Sequence, residues 1–94
     1  MKTVVLDGLK MVSNTETHAY LKETLGLSDH YGENLDALWN ELSCYNQALS
    51  IELINIKAME TSLGDYALKL KEVFHEIGMF NKGIMVKFES EDDL

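Results

Sequence analysis

Three histidines, one cysteine and sixteen carboxylates are the side chains in these 94 residues with which chemistry could be done. His18, His30 and His75 do not pair at the spacing of a zinc-binding helix, and Cys44 alone cannot build a thiolate site. No metal and no cofactor is therefore expected. The chain has neither a glycine-rich phosphate loop nor a nucleophile elbow. Paired carboxylates such as Asp36 and Glu76 could in principle do acid–base work. A chain this short has little room for a substrate cleft, so catalysis is not expected. What remains is an acidic surface. Asp29, Glu33 and Asp36 lie close together in sequence, and taken alone they describe a solvated helix face with capping carboxylates.

The element that must position them is Asp29 to Leu42, DHYGENLDALWNEL. It reads as a polar loop that becomes a short amphipathic helix. Gly32 lets the backbone turn at little steric cost, and Asn34 is a good N-cap for a helix from about Leu35 to Ser43. Leu35, Leu38, Trp39 and Leu42 fall on one helical face. Asp36 and Asn40, four apart, share another face and point outward. Glu33 and Asp36 lie near the helix start, where the dipole favours negative charge.

Around this element the chain alternates strands and helices. Thr3 to Leu6 is an apolar strand ending in an Asp7-Gly8 turn. Ser13 and Glu16 form a capping-box pattern for a helix to about Leu25, with His18, Leu21 and Leu25 inward and Gly26 at its C-terminal stop. Leu49 to Asn55 is a second strand. Ile56 to Ser62 reads equally as short helix or loop. A clearer helix runs from Gly64 or Asp65 to Ile77, with Tyr66, Leu70, Val73 and Ile77 at helical spacing and Gly78 closing it. Ile84 to Glu89 is a third strand, and about 90–94 is an acidic tail expected to fray. Strands separated by helices predict an α/β fold with a three-stranded parallel sheet, right-handed crossovers and three to four packed helices, in one domain over 1–94.

Acids outnumber bases sixteen to eight, for a formal charge of −8. That argues against a nucleic-acid partner, because phosphate binding needs Lys and Arg. It favours a basic partner, or simply solubility. No apolar run approaches a membrane span, and MKTVVLDGLK has too few apolar residues for a signal-peptide core. A cytoplasmic location is expected, and the lone Cys44 fits a reducing compartment. Cys44 is expected to be an inert, partly buried thiol.

YGENLDALW, Tyr31 to Trp39, resembles the signature of the barstar family, intracellular inhibitors of barnase-type ribonucleases. VFHE, Val73 to Glu76, resembles a second family segment that supplies an acidic contact, and the order of elements matches over nearly the whole chain. The resemblance implies strand order 2-1-3. It also implies a surface built from Asp29, His30, Tyr31, Gly32, Asn34, Asp36, Trp39, Asn40, Tyr45 and Glu76. In that reading Asp36 is the outward helical acid, Glu76 the acid of the later helix, and Trp39 the brace of the inhibitory helix. The implied partner is a basic ribonuclease of the extracellular type, or a toxin nuclease domain, bound one to one. The other reading is an acidic interaction module for a non-nuclease basic partner. Two positions depart from the archetype: Asn40 stands where it has another acid, and His30 where it has a tyrosine.

Overall fold

The computed structural model describes residues 2–89; the acidic tail expected at about 90–94 lies outside them. Strand β1 (Lys2–Asp7) leads through a 3₁₀ turn (Gly8–Lys10) to helix α1 (Asn14–Leu25) and helix α2 (Leu35–Ser43). Strand β2 (Leu49–Ile54), helices α3 (Ile56–Leu63) and α4 (Asp65–Phe80), and strand β3 (Ile84–Phe88) follow. The three strands form one parallel sheet, β1 pairing with β2 and β2 with β3.

The spatial order is 1-2-3, which corrects the expected 2-1-3. Each crossover joins immediate neighbours, the commoner arrangement for consecutive elements. The centre goes to β2, whose alternate residues Leu49, Ile51 and Leu53 are buried. They lie in register with Val4 and Leu6 on one side and Ile84, Val86 and Phe88 on the other. Thr3, Val5, Met85 and Lys87 point from the opposite face and are exposed. The apolar core therefore lies on one side of the sheet, with Leu21, Leu25, Leu38, Leu42, Met59, Leu70, Phe74 and Ile77 from the helices.

Local signals explain most element ends. Ser13 Oγ accepts the Glu16 N–H at 3.1 Å to start α1. Gly26 ends α1 in the left-handed region at φ 69°. The ambiguous Ile56–Ser62 segment is helix α3. Helix α4 does not close at Gly78 but continues to Phe80, with Asn81 as its C-cap. A Cβ built at Gly78 would lie 3.4 Å from Val86 Cγ2, an ordinary contact distance, so Gly78 sits inside α4 against β3 and does not end the helix. Glu89 is not yet tail. Its N–H bonds to the Leu53 carbonyl at 2.9 Å, and its carboxylate accepts the Asn55 N–H at 3.0 Å.

Candidate functional site

The segment before α2 is a set of fixed turns. The Tyr31 N–H closes a turn onto the Ser28 carbonyl at 3.0 Å, leaving Asp29 and His30 exposed at its tip. Ser28 is held by Glu41, whose carboxylate accepts from its hydroxyl at 2.6 Å and its N–H at 3.2 Å. Glu41 therefore works within the protein, beside the outward stripe rather than on it. Asn34 caps α2 as its sequence predicts: its side-chain oxygen accepts the Ala37 N–H at 2.7 Å. The left-handed residue in this loop is Glu33, at φ 57°, and not Gly32. Gly32 instead clears space, since a Cβ there would lie 3.3 Å from that of Ala37.

Tyr31 turns inward. It is 6 % exposed, and its hydroxyl pairs with Nδ1 of His18 at 2.6 Å. Nε2 of the same imidazole pairs with the Tyr66 hydroxyl, also at 2.6 Å. His18 is 1 % exposed, and burial pushes it below its ordinary pKa of 6.5, with Glu33 opposing part of that shift. Burial also raises both tyrosines, so they keep their protons. A neutral imidazole offers one donor and one acceptor. Tyr66 is partly exposed and can give its proton to water. All groups are satisfied when Tyr31 donates to Nδ1 and Nε2–H donates to Tyr66. The hub ties α1, the loop and the start of α4 together. Sequence periodicity put His18 inside but gave no sign of its partners, which lie 13 and 48 residues away.

The far ends of α2 and α4 are joined as well. The Asn81 amide donates to the Leu42 and Tyr45 carbonyls, each at 2.9 Å. The Trp39 ring lies 5.3 Å from that of Phe80, centroid to centroid. The C-terminal ends of α2 and α4 thus meet. Of the predicted site residues, Asp29, His30, Gly32, Asn34, Asp36, Asn40 and Glu76 are exposed, as is Glu33. Trp39 and Tyr45 are half-buried against the core. Cys44 is exposed rather than partly buried, because it follows the last turn of α2 where the chain leaves the core. Phe80, 63 % exposed beside Trp39, is a surface feature the sequence reading missed.

Asp36 and Glu76 are solvent-facing carboxylates on separate helices, an arrangement suited to meeting positive charge. Among the described residues no group of three His, Cys, Asp or Glu side chains is placed to hold a metal ion. Among them, too, no helix is long and apolar enough to cross a membrane.

Residues 1–91 match the family model described as Barstar (barnase inhibitor). The chain belongs to the barstar family. It is also 36 % identical, over 77 residues, to a Bacillus subtilis (strain 168) protein named "Putative ribonuclease inhibitor YrdF"; the match covers 81 % of this chain and 85 % of that relative. Within this barstar-family chain the signature YGENLDALW divides by burial. Tyr31 and Leu38 are in the core, and Leu35, Ala37 and Trp39 are half-buried. Gly32, Glu33, Asn34 and Asp36 face water.

Proposed function

We propose that this barstar-family protein inhibits a basic ribonuclease, one to one, by laying α2 and the loop before it over the enzyme's phosphate-binding site. The observation that carries the reading is the exposed set Asp29, Glu33, Asp36 and Glu76, the first three on a loop and helix start held by side-chain hydrogen bonds. A ribonuclease site is basic because it holds phosphates. Carboxylates can take those positions through charge-assisted hydrogen bonds and exclude RNA. Pre-ordering by the Ser28–Glu41 pair, the Asn34 cap and the His18 hub keeps the entropy lost on binding small. The protein itself performs no catalysis and acts inside the cell.

The test is titration of RNA cleavage by a barnase-type ribonuclease. Inhibition should be complete near one equivalent. Asp36→Ala and Glu76→Ala should each weaken it by roughly 1.5–3 kcal/mol if the lost bond is to a charged partner, with little change in melting temperature. Association should slow as salt rises, because steering is screened over roughly 8 Å at physiological ionic strength. Normal inhibition by both variants would put the binding surface elsewhere. Asn40 favours a second reading: with a neutral amide on the outward stripe, the partner is a toxin nuclease domain or another basic protein with an acceptor opposite.

A further inference from the structure

Phe80 packs one side of its ring on Trp39 and leaves the rest to solvent. It is the last residue of α4, 63 % exposed, in a protein that buries its other two phenylalanines wholly or in part. It is also not loose. The Trp39 ring backs it at 5.3 Å and 52°, and the next residue, Asn81, is clamped to two carbonyls at the end of α2. Glu76 lies one turn before Phe80 on the same stripe of α4, and Asp36 lies one turn before Trp39 on α2. The two rings therefore form an aromatic ledge with a carboxylate beside each helix of the proposed inhibitory surface.

We propose that Phe80 is a partner-binding residue, and that its occupant is an arginine of the basic protein bound there, its guanidinium lying flat on the ring. The inference rests on the inhibitory reading above and adds a specificity element to it. Charge complementarity selects a cation, because the exposed Glu76 lies one turn before Phe80 and the net charge is −8. The exposed ring selects arginine over lysine. A guanidinium can stack on an aromatic face while its N–H groups reach a neighbouring carboxylate such as Glu76, and an ammonium cannot match that geometry. A ring already held by Trp39 and Asn81 loses little freedom when covered.

The experiment measures association and dissociation rates of wild type, Phe80→Ala, Phe80→Leu and Phe80→Trp against a barnase-type ribonuclease, with Glu76→Ala in parallel. Melting curves verify folding, which an exposed ring should scarcely affect. Phe80→Ala should raise Kd roughly 3- to 30-fold. The loss should lie in faster dissociation, with association and its salt dependence unchanged, since the ring carries no charge. Glu76→Ala should instead slow association. Phe80→Trp should bind as well as wild type, and Phe80→Leu should recover little. Wild-type affinity in Phe80→Ala overturns the proposal. Wild-type affinity in Phe80→Leu shows a plain apolar contact and overturns the arginine. No binding by wild type removes the inhibitory reading, and this proposal falls with it.

Discussion

Tyr31→Phe removes one oxygen and isolates the contribution of the buried hub. The ring stays, so no cavity opens, and what is lost is the bond at 2.6 Å to His18 Nδ1. With His18 1 % exposed and Tyr31 6 % exposed, water cannot readily replace the donor. Leaving a buried acceptor unsatisfied costs about 1–3 kcal/mol. For a domain of this length each kcal/mol moves Tm by roughly 4–8 °C, so the midpoint of the distribution corresponds to a fall of roughly 8–16 °C. Tyr66→Phe should cost less, because Tyr66 is partly exposed and solvent can approach Nε2 from its side. Urea unfolding followed by the fluorescence of Trp39, the single tryptophan, gives the equilibrium values. The double variant tests coupling, since both hydroxyls act on one imidazole. A loss under about 0.5 kcal/mol for Tyr31→Phe, or a larger loss for Tyr66→Phe, would refute the hub as described.

The hub also sets a pH dependence. His18 is pushed down by burial, so the unfolded chain takes up its proton first as pH falls. His18's contribution is thus whole above about pH 6.5 and declines below it, by at most about 1.4 kcal/mol per pH unit, until the folded imidazole protonates too. Urea midpoints from pH 8 to pH 5 should show this fall in wild type and lose it in His18→Gln. Asn40→Asp, one turn after Asp36 on the exposed stripe, should tighten the complex with a barnase-type enzyme by roughly tenfold, chiefly by slowing dissociation. Surface binding that shows no gain would mean residue 40 does not face the basic site. Refolding should lack a phase accelerated by a prolyl isomerase, because the chain has no proline. Stopped-flow traces with and without the isomerase decide it.

What the sequence made legible follows the range of the interaction involved. Caps are local, so Ser13, Asn34 and Gly26 could be read from neighbours within four residues, and each does in the structure what its type predicts. The strands were legible for the same reason, being runs of apolar and alternating residues. Strand order was not, because it depends on which strand can bury its inward residues between two flanks. Leu49, Ile51 and Leu53 reveal that only in register with both neighbours. Gly78 shows the same limit from the other side. A glycine near a helix end is a good local stop signal, yet Gly78 lies inside α4 facing Val86 of β3, and the stop comes at Asn81. The site divides likewise. The outward direction of Asp36 and Asn40 comes from helix period, but the inward direction of Tyr31 comes from a histidine on another helix. Its place in a family signature therefore does not make it a contact residue. The Tyr31 side chain supports the loop whose neighbours Asp29, His30 and Glu33 face solvent. The signature thus combines residues that hold the loop and helix with residues that face solvent, and only the three-dimensional packing separates the two.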